Sequence, residues 1–153
     1  MRWLPALMTL GLACAEARGA TPIAWEVIGS EEFQAAIDRV VSIDVVDCGF
    51  LEITEKPTAD QIRAVRKCIE DAKRRGVESI FATSHVSGSK YIQDVFAISA
   101  SGERWLLTYD NDPMADIEHI LLRRCAAVSV DWKTLRIAGV DCAESELPKP
   151  GGK

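Results

Sequence analysis

The apolar and polar positions of this chain divide it into segments of distinct period. The first is an apolar stretch of eleven residues, Trp3 to Ala13, broken only by Pro5, Thr9 and Gly11. Arg2 precedes it. Small residues at A-x-A spacing follow it, as Ala13-Cys14-Ala15 and as Ala15-Glu16-Ala17. This three-part layout predicts a secretory signal peptide over residues 1–17. The stretch is too short for a membrane span, which needs roughly 20 residues, and no later run approaches that length.

Beyond the signal, helical and alternating periods succeed one another. Ser30 is a natural N-cap, Glu31 and Glu32 suit a first turn, and Phe33, Ala36, Ile37, Val40 and Val41 recur at helical spacing. Ser42 to Asp47 is β-branched and predicts a short extended segment. Thr58 and Gln61 have the spacing of a capping box, and Ile62, Val65, Ile69 and Ala72 form an apolar stripe ending before Gly76. A helix over 59–75 follows. Val77–Val86, Tyr91–Ala100 and Glu103–Tyr109 predict three strands, the last two a hairpin around Ser101-Gly102 with Phe96, Ile98, Trp105 and Leu107 on one face. Asp112-Pro113 predicts a short helix carrying Met114, Ile117 and Leu121. A final hairpin spans residues 125–142, and the Pro- and Gly-rich stretch 143–153 predicts a disordered tail.

This order predicts an α+β domain over residues 18–142: an antiparallel sheet of about five strands, with two to three helices on one face. A chain of 153 residues with 48% apolar content fits one domain with its own core.

The cysteines sharpen the picture. Cys14 belongs to the signal, leaving Cys48, Cys68, Cys125 and Cys142, which suit two disulfides in an exported chain. In the last hairpin a tight turn at Lys133-Thr134 pairs Val130 with Ile137, Val128 with Gly139 and Cys125 with Cys142. That register puts the two cysteines at a non-hydrogen-bonded position, where side chains approach closely. It also gathers Val128, Val130, Trp132, Leu135 and Ile137 on one face. Cys48 and Cys68 are then left for each other. No C-x-x-C pair suggests a zinc site.

Charge adds one feature. The net charge is −5, and removing Arg2 and Glu16 with the signal leaves it there. A mildly acidic chain has no global reason to bind nucleic acid. Against that background the 59–75 helix is basic. Arg63, Arg66, Lys67 and Arg74 are its candidate binding residues for a protein or an anionic envelope component. The bland reading of the same residues is a solvated face laced by pairs such as Glu70–Arg74.

Catalytic patterns are thin, and no catalytic residue or cofactor is assigned. Asp110, Asp112, Asp116 and His119 supply oxygen and imidazole donors for a divalent cation, without the spacing of an EF-hand. Ser87-Gly88-Ser89-Lys90 has S-x-x-K spacing but lacks companion motifs, and a turn explains it.

One resemblance is carried by Asp47-Cys48-Gly49, by Cys68 followed by Ala72, by the strand hairpin and by Cys125. Over roughly residues 47–125 this order resembles small exported bacterial proteins and lipoproteins of unknown function. The resemblance implies bacterial export and nothing about activity.

The expectation is therefore a periplasmic or secreted, non-enzymatic domain that binds a partner, of inhibitor or immunity type. A lipid anchor at Cys14 is the alternative to soluble export. An envelope hydrolase or metal-dependent enzyme using Asp110, Asp116 and His119 is the alternative to a binder.

Overall fold

A computed structural model describes residues 30–115 and 117–145; of Ile117 only the backbone is described. The signal peptide, Cys14, Asp116 and the chain beyond Ser145 lie outside the described residues.

Among the described residues, two helices form where caps and stripes coincide. In α1 (Glu31–Val40) the Ser30 hydroxyl accepts from the Phe33 amide at 3.3 Å, and Phe33, Ala36, Ile37 and Val40 are buried. In α2 (Ala59–Arg75) the capping box is complete: the Gln61 amide donates to Thr58 Oγ1 and the Thr58 amide to Gln61 Oε1. Gly76, in the left-handed conformation at φ 63°, closes the helix by donating to the last-turn carbonyls.

The remaining elements are strands: β1 (Val46–Glu52), β2 (Ser79–Ser87), β3 (Lys90–Ile98), β4 (Arg104–Asp112), β5 (Ile117–Asp131) and β6 (Arg136–Glu144). They form one sheet in chain order. The antiparallel five-strand expectation is corrected here. The sheet has six strands and is mixed, because β1 and β2 run parallel. The extended segment lies later than 42–47, at 46–52, so α2 connects two strands and returns the chain to its starting edge. Such a crossover yields a parallel pair, whereas the short links elsewhere yield antiparallel ones.

The helices are also not on one face. Ile80, Ala82, Val95, Ala97 and Leu107 pack with α1, while Phe81, Phe96 and Leu106 pack with α2. Neighbouring strand residues point to opposite faces, so a sheet buried on both sides needs apolar residues at both parities. This places Phe96 opposite Leu106 and Ala97 opposite Trp105. Phe96 and Ile98 thus share a face with Leu106, not with Trp105 and Leu107.

The expected third helix is replaced by the start of β5. The Asp112 carboxylate accepts from the Met114 amide and its carbonyl from the Ala115 amide, both at 3.1 Å. This is turn chemistry that a helix N-cap shares. The ladder with β4, which places Leu122 in the core beside Leu107, decides for strand.

Both expected disulfides are formed. Cys48–Cys68 ties β1 to α2 with Cα atoms 5.3 Å apart, and Cys125–Cys142 joins facing residues of β5 and β6 at 4.0 Å. The hairpin register is the expected one, with Val130 facing Ile137 and Val128 facing Gly139. The turn is longer than two residues: the ladder closes at Asp131 and Arg136, and the Leu135 amide donates to the Asp131 carbonyl. Ala143 and Glu144, assigned to the tail from sequence, belong to β6.

Candidate functional site

The α2 stripe buries Val65 and Ala72 and half-buries Ile62, Cys68 and Ile69 against the sheet. What remains outward is charged, with cations in excess of carboxylates. Arg63 pairs with Asp60 at 3.0 Å, Arg66 with Glu70 at 2.9 Å and Arg74 with Asp71 at 2.6 Å. Arg74 thus reaches Asp71 rather than Glu70. All are i,i+3 or i,i+4 pairs, and the guanidinium side chains stay 56–77% exposed. Exposed pairs of this kind are worth about 0–1 kcal/mol each.

The fold adds a component that spacing along the helix did not reveal. The β5–β6 tip packs against the α2 side of the sheet. Leu135 and Ile137 enter that core, with Val128, Val130 and Trp132 packed against it. The Trp132 ring lies 6.2 Å from Phe81, and the Arg66 guanidinium sits 5.9 Å over the same ring. Residues 66 and 132, far apart in the chain, thus form one surface. The tip itself is fixed by Asp131. Its carboxylate accepts from the Lys133 amide and from Thr134 Oγ1, both at 2.9 Å, and these bonds hold the carboxyl below its ordinary range.

Beside this surface the α2 face carries a polar network. Arg123 donates to Thr108 Oγ1 at 3.0 Å, and Thr108 donates to Asp94 at 2.7 Å. Burial pushes the Asp94 carboxyl above its ordinary value, against the Thr108 hydrogen bond and the charges of His85, Arg123 and Arg136. Buried His85 and Thr83 lie on the same face of β2; their Nδ1 and Oγ1 atoms make no hydrogen bond among the described residues. On the α1 face Ser84 donates to Glu52, and burial raises the Tyr91 hydroxyl beside them. Burial likewise raises Tyr109, assisted by the nearby Glu118 charge. Sequence reading missed the Asp94 network. Its signal was the polar residues Thr83-Ser84-His85 and Gln93-Asp94 inside otherwise apolar strands.

The metal candidates are only partly assembled. Asp110 and His119 face each other across β4 and β5, but Asp110 is engaged by Lys90 at 3.2 Å. Asp112 accepts from Ser89 and from the Met114 amide, and His119 is exposed. Among the described residues no group of three or more His, Cys, Asp or Glu is placed to hold a metal ion. Ser87 to Lys90 form the β2–β3 turn, with Gly88 at φ 65° in its first position. That is a hairpin conformation other residues rarely adopt. No helix among the described residues is long and apolar enough to cross a membrane.

No protein-family model matches the chain, and no curated protein and no solved structure matches it with significance. No comparison supports the resemblance to small exported bacterial proteins, which rests on the short pattern from Asp47 to Cys125 alone. The two disulfides point to an oxidising compartment.

Proposed function

We propose that this chain is an exported, non-enzymatic domain that binds an anionic partner through the outer face of α2, in the manner of an inhibitor or immunity protein of a cell envelope. The N-terminal layout of residues 1–17 and the two disulfides support export to the periplasm or beyond. The observation that carries the binding reading is the charge of α2. Six cations stand against three carboxylates on one helix of a chain whose net charge is −5. The helix is held to the sheet by its apolar stripe and a disulfide, so its charged face, apart from the Arg66 contact with Trp132, is free of any duty to the core.

The test is charge reversal at Arg63, Arg66 and Lys67, with binding to acidic polypeptides measured at two ionic strengths. Reversal should weaken binding by an order of magnitude or more while the melting temperature stays within a few degrees. Raising salt should weaken the unaltered protein in the same direction, because exposed charges beyond about 10 Å are screened at 0.1 M. Binding indifferent to both salt and reversal would refute the assignment.

A further inference from the structure

We propose that Trp132 is the apolar anchor of this surface, and that the partner is an acidic protein segment that meets Trp132 together with Arg66, Arg63 and Lys67. The inference rests on the binding reading above and names the chemistry of its centre.

Three observations converge. First, Arg66 and Trp132 come from different elements yet stack at 5.9 Å, so the surface has a centre and not only a row of charges. Tryptophan and arginine together are the residues that dominate binding energy at protein interfaces. Second, Trp132 is presented on a rigid support. Phe81 backs its ring, Asp131 fixes the turn, and Cys125–Cys142 clamps the base of the hairpin. A preorganised aromatic loses little freedom on binding. Third, the arginines already hold carboxylates. Arg63, Arg66 and Arg74 each bond one helix carboxylate at 2.6–3.0 Å in exposed pairs. A partner's Asp or Glu replaces these with little loss, because the geometry is the same and the exposed pair is weak.

A protein segment fits this centre better than a lipid surface. Insertion into a bilayer needs an apolar face turned outward. Here the ring is half-buried, its apolar contacts turned inward to the cluster of Phe81, Leu135 and Ile137, and the Arg66 guanidinium covers it. A polyphosphate has charge for the arginines but nothing for the indole. An acidic segment with an aromatic or aliphatic side chain uses both.

The experiment is fluorescence anisotropy on the disulfide-bonded protein with four probes: labelled glutamate–tyrosine copolymer, polyglutamate, polyphosphate, and phosphatidylglycerol vesicles. The copolymer should bind tightest. Trp132→Ala and Arg66→Glu should each weaken it about tenfold, and Trp132→Phe, which keeps an aromatic ring on Phe81, should weaken it less. Thermal melting checks the fold, and Trp132→Phe serves if Trp132→Ala loosens the hairpin. Copolymer affinity unchanged in both Trp132 variants would overturn the anchor, even if reversal at Arg63 and Lys67 still weakens binding. Vesicles or polyphosphate binding as tightly as the copolymer would overturn the choice of partner. A protein that binds none of the four would overturn the binding reading itself.

Discussion

Gly139 faces Val128 across the last ladder, and the disulfide lies directly over it. A β-carbon there would fall 2.6 Å from Cys125 Sγ, closer still to Cys142 Sγ, and 3.4 Å from Leu106 Cδ2. Ordinary contacts between carbon atoms begin near 3.5 Å. The sulfurs cannot swing aside, since they are bonded to each other and anchored on two hydrogen-bonded strands. Gly139→Ala must therefore displace β6 or prevent the bridge. Overpacking costs about 1–3 kcal/mol. Loss of a bridge spanning 17 residues costs about 3 kcal/mol. The melting temperature should fall by roughly 5–15 °C, at a few degrees per kcal/mol for a domain of this size. The decisive assay is a double-mutant cycle. In a Cys125→Ala, Cys142→Ala background the obstacle is gone, and Gly139→Ala should then cost about 0.5 kcal/mol or less. Urea unfolding of the four proteins, with thiols counted by mass spectrometry, gives a coupling of about 1–3 kcal/mol. Equal costs in both backgrounds, or a fully bridged Gly139→Ala protein of unaltered stability, would refute the steric argument.

Two further predictions concern stability. Burial raises the Asp94 carboxyl above its ordinary value. A group whose folded-state pKa is raised contributes stability that is complete below the unfolded value of 3.8 and is lost as pH climbs through the raised folded value. Asp94→Asn removes that dependence while keeping an oxygen to accept from Thr108. The variant should therefore gain on the unaltered protein in urea midpoint as pH rises above 3.8; a gap that narrows as pH rises would contradict the burial argument. Thr58→Ala removes the acceptor for the Gln61 amide at the start of α2. It should cost about 1 kcal/mol, read as a lowered denaturation midpoint at unchanged slope.

Local rules carried much of the fold. The caps at Ser30 and Thr58 mark both helix starts, because a side-chain oxygen and the first apolar stripe are neighbours in the chain. The register of the last hairpin was legible for a similar reason: period-two alternation and the Cys125–Cys142 pairing allow one solution. With that pair settled, Cys48 and Cys68 had only each other. The basic face of α2 was likewise written in its spacing.

What distant partners decide was not legible. The Asp112-Pro113 signal suits a turn as well as a helix, and only the β4 ladder selected the strand. The parallel pairing of β1 with β2 depends on where α2 returns the chain, and burial on both faces depends on α1 and α2 lying on opposite sides. Arg66 and Trp132 meet because the β5–β6 tip packs on the α2 side of the sheet, and the Asp94 carboxyl is raised because the protein around it excludes water. Caps, stripes and hairpin registers are contests among neighbours in the chain, so the amino-acid order determines them. Strand partners, the two faces of the sheet and the meeting of Arg66 with Trp132 depend on which surfaces are left to bury, and only the tertiary structure decides that.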